Sequence, residues 1–600
     1  MTSAAASRFD RAVSRRRTLW LSAALLLALA GGAVWWRVTP SRTQVPLVRG
    51  QPPPTALAEH CADAIGPPRI ETITDRVLLA IGHDLASTIL IRTDAGNVIV
   101  DVGMSPARAA PVREALLKAS PGKIAAIVYT HSHIDHVGGA SVWAEPGTEI
   151  WSTDAFAEHF IKQYGAFRRA ETRRGAAQFG AHVAEDSLPC SALGRRADLE
   201  AALTTGVRFP THTFTGARDL VIGGVKLELR EAQGETHDQL FVHLPDEGVL
   251  LAGDNFYRAF PNLYTLRGTS PRPIDAWIAS LDAMRRLEPA HLVPSHTAPI
   301  SGREQVLAAL TRYRDAIQWV RDRVIERANQ GHAIDRIAAE VGLPPALAGA
   351  PELAELYGQV DWSARAIYGE RLGWFDERPE ALYPHPPAER ARRYLDAMGG
   401  PEAVRARAQQ ARASDPRWAA ELYALLRDAD PESMSPGTPL ADELAGALEA
   451  VAAGTANTNG RGYLLETAHR LRHGEAALAA PSIDPQVLDA LPVAHFFAVM
   501  ATRLDPELAA GVHESARFRF TDTGERFVVT VRHGIAEVVA GDPLPGTPAP
   551  LASVTTTTGT WRRLAVDQTT PVAALAAGEL SIDGDPLAFR RFTARFRRGL

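Results

Sequence analysis

The stretch Thr130-His131-Ser132-His133-Ile134-Asp135-His136-Val137-Gly138-Gly139 places three imidazoles and one carboxylate on a few consecutive positions. Imidazole and carboxylate are ligands that Zn²⁺ and similar cations prefer, and this spacing crowds four of them together. The apolar run Ile124–Tyr129 just before it predicts a buried strand, and the glycine pair lets the chain turn tightly after it. The four side chains should therefore stand on a strand-to-helix loop, where α/β folds usually carry their sites. The sequence predicts a metal site here.

Further ligands are expected at the ends of later strands, because four ligands cannot complete the coordination of two metal ions. Three polar residues stand at or just beyond the C-terminal end of an apolar run: Glu235, Asp254 and His296. That edge is where a sheet presents ligands to a shared cleft. A single Asp after a strand is more often a turn former or helix cap. In combination with the histidine motif, the three residues indicate a two-metal site.

Length and periodicity predict several domains, since 600 residues exceed what one hydrophobic core supports. Residues 41–305 alternate strands with helices and predict an α/β sandwich of sheets flanked by helices. A helix is expected at Pro111–Ala119, with Pro111 in its first turn. The strands are predicted at Val77–Ile81, Ser87–Arg92, Asn97–Val102, Leu220–Arg230, Gln239–His243, Val249–Ala252 and His291–Val293.

The rest of the chain predicts two further domains. Residues 306–475 are rich in Ala, Arg and Leu with helical periodicity and predict an all-α domain. Residues 485–600 predict a small α+β domain. Its strands are expected at Ala516–Phe520, Arg526–Arg532, Gly534–Val539 and Ala552–Thr557. The chain shows no P-loop and no G-x-S-x-G elbow, which removes nucleotide hydrolysis and serine-hydrolase chemistry from the leading hypotheses.

Residues 1–40 predict an export signal or a membrane anchor. Three arginines precede an apolar run over residues 19–36, and Ala28-Leu29-Ala30 offers a cleavage site. The run also approaches the roughly 20 residues that span a bilayer, so tethering stays open. Ser14-Arg15-Arg16 looks like a twin-arginine signal. In either case this segment should contact the membrane or the export machinery, with the body of the protein in the periplasm.

Composition and cysteine usage add two limits. The net charge of −5 and the charged content of 22% are ordinary for a folded soluble protein and argue against a nucleic-acid partner. Cys61 and Cys190 are too few for a disulfide framework and have no metal or redox spacing. They could pair in an exported chain, but the sequence does not show whether their Cα atoms approach each other.

The order of the ligand residues resembles the metallo-β-lactamase superfamily, in which His-x-His-x-Asp-His precedes a His or Glu, a bridging Asp and a final His. The resemblance implies two zinc ions per chain. It places His131, His133 and Glu235 on one, Asp135, His136 and His296 on the other, and Asp254 on both. Most of that superfamily has histidine at the position of Glu235, and glutamate there is similar to the alkylsulfatase branch. Asp238 is an alternative ligand, or a partner of a ligating histidine.

The resemblance to alkylsulfatases extends over nearly the whole chain after the N-terminal segment. The segment Asn262-Leu263-Tyr264-Thr265-Leu266-Arg267-Gly268 is similar to the one that grips sulfate in that family, which implies that Asn262 and Arg267 bind sulfate. The planar donor fork of arginine suits a tetrahedral oxyanion. Residues 360–362 and 372–376 resemble the family's dimerisation domain, and residues 485–600 resemble its sterol-carrier-like domain. A homodimer is therefore implied.

These expectations describe a binuclear zinc hydrolase that cleaves alkyl sulfate esters, small amphiphiles, to an alcohol and inorganic sulfate. Zinc lowers the pKa of bound water toward about 7, which makes hydroxide available at neutral pH. Asp135, Asp254 and Arg267 are the candidate catalytic residues. Two alternatives stay open: a hydrolase of the same fold acting on a lactone, thioester or β-lactam, and a lipid-binding protein with structural zinc. The second is disfavoured because structural zinc sites are usually closed by four ligands.

Overall fold

The computed structural model describes residues 47–162, 165–199, 204–475 and 485–597. The signal or anchor predicted at residues 1–40 lies outside these ranges. Among the helices that are described, none is both long enough and apolar enough to cross a membrane.

Within the described residues, the first sheet has seven strands, and their spatial order follows the sequence. Strands β1 to β4 pair antiparallel, and β4 to β7 pair parallel. The prediction of Val77–Ile81 is confirmed as β2. The strands are β1 Arg69–Thr72, β2 Val77–Ile81, β3 Thr88–Thr93, β4 Gly96–Val100, β5 Ile124–Val128, β6 Glu149–Thr153 and β7 His212–Phe214.

The second sheet, in the part of the chain that is described, has six strands in the order β13-β12-β11-β10-β9-β8. The single strand predicted at Leu220–Arg230 is wrong, because Gly223 and Gly224 take positive φ and turn the chain into a hairpin. The strands are β8 Ala217–Ile222, β9 Val225–Glu231, β10 Leu240–Leu244, β11 Val249–Gly253, β12 His291–Pro294 and β13 Ile300–Ser301.

The two sheets pack face to face and are covered by helices on both outer faces, as the sandwich prediction requires. Strands β2, β10 and β11 are buried at every position, because one face meets the other sheet and the opposite face meets helices. Helix α2 (Pro106–Ala119) covers the first sheet. It begins earlier than predicted because Ser105 caps it, so Pro111 lies inside the helix. The remaining helices of this region are α1 Thr55–His60, α3 Ile134–Val137, α4 Ala140–Trp143, α5 Phe156–Lys162, α6 Arg168–Gln178 and α7 Ile274–Arg285.

Helix α8 (Arg303–Asn329) covers the second sheet together with α7. Its apolar face, from Val306 to Val324, is buried in the same core as strands β11 and β12. The helices that follow are α9 Ile334–Glu340, α10 Pro345–Ala348, α11 Val360–Leu372, α12 Pro387–Ala397, α13 Pro401–Ala411, α14 Pro416–Ala429, α15 Pro439–Ala453 and α16 Thr458–His473. This part of the chain is therefore all-α, as predicted.

Arg461 on α16 ties the helical region to the N-terminal part of the described chain. Its side chain is fully buried, and its guanidinium donates to the backbone oxygens of Ser187, Ala452, Gln51 and Pro52. Burying a charged group is tolerated when its donors find acceptors, and four of the five guanidinium donors bind backbone carbonyls here.

The C-terminal part forms an α+β unit with a five-stranded sheet in the order β16-β15-β14-β17-β18. Aromatic side chains including Phe497, Phe518 and Trp561 fill the core against this sheet. The strands are β14 His513–Phe520, β15 Arg526–Arg532, β16 Ile535–Ala540, β17 Pro550–Thr556 and β18 Leu580–Gly584. The helices are α17 Pro485–Ala490, α18 Val493–Ala501, α19 Thr558–Ala565, α20 Pro571–Ala576 and α21 Pro586–Thr593.

Cys61 and Cys190 form a disulfide, with their Cα atoms 5.8 Å apart across a sequence separation of 129 residues. The bond joins the end of the first helical segment to a loop that also contacts the chain next to His296, since Thr297 N–H donates to the Leu193 oxygen.

Replacing both cysteines by serine should lower the free energy of unfolding by about 2–5 kcal/mol, because the bond closes a long loop in the unfolded chain. Urea unfolding of the oxidised protein and the variant measures the difference. Reducing the wild type should reproduce the loss, and reductant should leave the variant unchanged. Equal stability of the oxidised wild type and the variant would contradict the assignment of a stabilising role.

Candidate metal centre

The seven predicted metal ligands converge at one edge of the sandwich. Four follow β5, on the loop and short helix that the His-x-His-x-Asp-His motif forms. The other three follow β9, β11 and β12, so ligands from both sheets meet there. Six of the seven are buried, and His133 is partly exposed. The full set is His131, His133, Asp135, His136, Glu235, Asp254 and His296.

The ligand atoms fall into two groups that share Asp254. In the first, the Nε2 atom of His131 lies 2.9 Å from the Nδ1 atom of His133 and 3.7 Å from Asp254 Oδ2. In the second, Asp135 Oδ2 lies 3.5 Å from the Nε2 atoms of both His136 and His296. Asp254 is 3.4 Å from His136 and 3.1 Å from His296. Apart from Glu235, these groups contain the residues that the resemblance names for each ion.

Glu235 lies at the outer side of the first group. Its Oε1 atom is 3.9 Å from His133 Nδ1, and it is not part of the tight cluster formed by His131, His133 and Asp254. Asp238 is fully buried, and the structure groups it with neither ligand set. Burial raises the pKa of Asp238 to about 6.

Three histidines are held so that Nε2 points into the centre. Nδ1 of His136 lies 2.7 Å from Asp101 Oδ2, Nδ1 of His296 lies 2.9 Å from the Leu85 oxygen, and Nδ1 of His131 lies 3.0 Å from Thr130 Oγ1. Partners of this kind fix ring orientation in metal sites. Among the described residues, buried His136 Nε2 and Asp254 Oδ1 find no hydrogen-bond partner. A divalent cation suits this donor set, since it would bind both.

The buried charges of the centre depend on one another. Burial lowers the pKa of His136, but the carboxylates of Asp254, Asp135 and Asp101 outweigh it and hold the pKa well above its ordinary value. Burial raises the pKa of Asp254, yet His296, His136 and His131 hold it well below the ordinary value. Burial, reinforced by His136, lowers the pKa of His131. Positive charge is thus required beside these carboxylates, and a bound cation would supply it.

Asp101 is a central residue that the motif does not reveal. Its two carboxylate oxygens accept from Thr130 N at 2.9 Å, Thr130 Oγ1 at 3.0 Å and Ser295 Oγ at 2.7 Å, and one of them contacts His136. The residue is fully buried with φ of 58°, a left-handed conformation that Asp tolerates better than most residues. Its position just after β4 is the only sequence signal that could have found it.

A cavity of about 340 Å³ opens beside the first ligand group and is lined by His133, Glu235, Arg267, His159 and Phe167 among others. The Nη2 atom of Arg267 lies 3.1 Å from His133 Nε2, and its backbone N–H donates to Gln178. The structure therefore places Arg267 in contact with His133, one of the predicted metal ligands.

Asn262 is buried and does not belong to the described residues that line this cavity. Its backbone N–H donates to the Tyr257 hydroxyl at 2.7 Å. Tyr357, from the helical region, is a second residue that the sequence analysis missed. Its ring lies 6.0 Å from the ring of Tyr257, which is in turn 6.4 Å from the ring of His296. Burial raises the pKa of Tyr357.

A third His/Glu group lies away from the centre, where α16 meets the loop after α6: His182, Glu466 and His469. The oxygens of Glu466 accept from the backbone N–H of His182, contact its Nδ1 atom at 2.9 Å and accept from Arg470. Its charge is already compensated by these contacts. We therefore interpret this group as a structural contact that holds the helical region against the sandwich.

The sandwich and its ligand order are those of the metallo-β-lactamase superfamily, whose family model matches residues 81–296. The models described as alkyl sulfatase dimerisation and alkyl sulfatase C-terminal match residues 333–474 and 481–599. A linear primary-alkylsulfatase from a Pseudomonas species is 33% identical over 75% of this chain and 88% of the relative. An (R)-specific secondary-alkylsulfatase from Pseudomonas is 30% identical over 84% and 77% of the two chains.

A solved structure supports the same assignment along nearly the full length. The stereoselective inverting sec-alkylsulfatase Pisa1 from a Pseudomonas species aligns with a TM-score of 0.81 and 25% identity, covering 95% of this chain and 96% of Pisa1. The chain belongs to the alkylsulfatase branch of the metallo-β-lactamase superfamily.

Replacing Asp101 by Asn should weaken metal binding or activity by about 10–100-fold, because an amide nitrogen would face groups that now donate to a carboxylate. Competition with a chromogenic chelator measures the metal dissociation constants. Asp583→Asn, at an exposed strand position, is the matched control and should change nothing. Wild-type metal affinity together with wild-type turnover in Asp101→Asn would refute the role of Asp101.

Proposed function

We propose that this protein hydrolyses alkyl sulfate esters to an alcohol and inorganic sulfate, using two zinc ions held by the ligands described above. The observation that carries the proposal is the position of Arg267, whose guanidinium meets ligand His133 at the wall of the cavity. An arginine fork beside a cationic centre fits an anionic tetrahedral group. The named activities of the two Pseudomonas relatives support the same substrate class.

Each part of the site has a task in this reaction. Zinc, when bound, would supply hydroxide at neutral pH. His131, His133 and Glu235 would hold one ion, Asp135, His136 and His296 the other, and Asp254 both. Asp101 orients His136 through the 2.7 Å contact with its Nδ1 atom. The burial of the ligands keeps bulk water away from the centre and strengthens its electrostatic interactions.

Arg267 would receive the sulfate group and stabilise the negative charge that develops as sulfate leaves. Its backbone is fixed by the bond to Gln178, so the guanidinium is presented from a rigid support. We keep Asn262 as a proposed second sulfate contact, in which its Nδ2 amide group would donate to a sulfate oxygen. Asp135 is more exposed than Asp254, with 13% against 4% of its side-chain surface accessible. We propose Asp135, rather than Asp254, as the residue that would accept the proton when water is converted to hydroxide.

Sulfate release from dodecyl sulfate by the zinc-loaded protein tests the proposal. Arg267→Gln should lower kcat/KM by about 100-fold, a loss typical of removing one donor to a developing oxyanion. Prolonged chelation should abolish release, and zinc should restore it.

Arg173→Gln, an exposed arginine on α6, is the matched control and should keep full activity. Unchanged sulfate release in Arg267→Gln, or none from the wild type, would overturn the proposal. Hydrolysis of a lactone or thioester by the same preparation would then favour the acyl-hydrolase alternative.

The proposed domain division follows the sequence analysis, with a catalytic domain at 41–305, a helical domain at 306–475 and a sterol-carrier-like domain at 485–600. The family-model matches support three parts of this kind. We propose that the last domain contacts the alkyl chain of the substrate.

We also propose that the protein is exported to the periplasm, where it is free or anchored to the inner membrane. The Cys61–Cys190 disulfide supports export, since such bonds persist in oxidising compartments.

A homodimer is proposed from the match of residues 333–474 to the dimerisation model. The segment from Leu372 to Tyr383 supports it, because it exposes large apolar side chains, with Trp374 74% and Tyr383 94% accessible. Exposed apolar side chains concentrated on one segment are typical of interaction surfaces.

Trp374→Glu combined with Tyr383→Glu should shift the protein from dimer to monomer, because burying two new carboxylates in an apolar interface is costly. Size-exclusion chromatography with light scattering measures the mass. Leu587→Glu, which is exposed on α21, should leave the dimer intact. A wild type that is monomeric at micromolar concentration would contradict the dimer, and an unaffected dimer in the double variant would contradict this interface.

A further inference from the structure

Arg272 is a buried arginine at the edge of the metal centre. It lies just before α7 and is 4% exposed. Its Nη1 atom forms an ion pair with Glu235 Oε2 and donates to the backbone oxygen of Glu235 at 2.9 Å. Its guanidinium also lies over the Trp277 ring, 6.0 Å from the centroid.

Glu235 is held from a second side by Asn255. The Asn255 Oδ1 atom accepts from the Glu235 N–H at 3.0 Å, while its Nδ2 donates to the Ala232 oxygen. With its backbone fixed and Oε2 against Arg272, the carboxylate directs Oε1 toward the first ligand group, 3.9 Å from His133 Nδ1. Oε2 of Glu235 therefore pairs with Arg272, and Oε1 faces the predicted metal centre.

We propose that Arg272 is a positioning residue that restricts Glu235 to a single ligand oxygen. The proposal rests on the proposed function, in which Glu235 is a metal ligand. A carboxylate can bind a cation through one oxygen or two. Pairing Oε2 with the guanidinium prevents the second mode and keeps a coordination position open for water and substrate, as catalytic sites require. It also offsets the negative charge of a carboxylate buried beside the centre.

Arg272→Met tests this, because it removes the charge and keeps a long apolar stem. Sulfate release should fall by about 10–100-fold, the range seen when a partner of a metal ligand is removed. Metal content per chain should stay at the wild-type level. With cobalt(II) in place of zinc, the visible absorption should weaken, since a second ligand oxygen raises the coordination number. Loss of metal together with activity, or an unchanged cobalt spectrum, would overturn the proposal.

A double-mutant cycle with Glu235→Gln separates restriction of the carboxylate from general support of the fold. An amide offers only one good ligand atom, so Arg272→Met should cost less than about 3-fold in that background. Independent, multiplicative losses would overturn the proposal. Arg272→Lys keeps a charge next to Oε2 and should retain the wild-type cobalt spectrum; it carries the test if Arg272→Met does not fold. A weakened cobalt spectrum in Arg272→Lys would also overturn it.

The outcome for Arg272 can be told apart from the outcome for the proposed function. If the wild type releases no sulfate but binds cobalt with the expected changes in the variants, the substrate is wrong and the role of Arg272 stands. If sulfate is released and the cobalt spectrum and the cycle are unaffected by Arg272→Met, the role of Arg272 fails alone.

Discussion

The geometry of the centre depends on the hydrogen bonds that the Asp101 carboxylate accepts. Asp101 stands just after a strand of the first sheet and accepts from Thr130, which precedes the histidine motif, and from Ser295, which follows the last strand before His296. The same carboxylate contacts the ring of His136. One buried group thus fixes loops from both sheets relative to each other. Donors around a buried carboxylate have no water to turn to, so this geometry is strongly maintained.

The charges of the centre form a second constraint. Carboxylates and imidazoles are buried within a few ångströms, and the carboxylates need positive charge beside them. The carboxylates around His136 hold its pKa well above the ordinary value. Arg272 supplies positive charge permanently for Glu235 at the outer side. The protein therefore divides its carboxylates into those compensated by its own side chains and those left for a cation.

The sequence predicted well whatever was local. The His-x-His-x-Asp-His motif, the strand before it and the buried strand at Val77–Ile81 depend on neighbouring residues and on periodicity. The hairpin at Gly223-Gly224 was missed, although a Gly-Gly pair between two apolar runs is a hairpin signal and the alternation changes phase there. The start of α2 was misplaced because a second proline also suits a first turn. Asp101, Arg272 and the Cys61–Cys190 bond could not be predicted, since each acquires its role from residues brought close only by the fold.

Arg461 has a consequence for how the chain reaches its native state. Its guanidinium binds the backbone oxygen of Gln51, 410 residues earlier in the sequence, and that of Ser187 on the loop that carries Cys190. The segment at Gln51, which precedes the first strand of the sandwich, is thus bound by a helix near the end of the helical region. Contacts of such long range form late, because the loop they close is costly in entropy. During synthesis, Gln51 and the loop that carries Cys190 therefore gain this shared anchor only after α16 has emerged, when most of the chain is present.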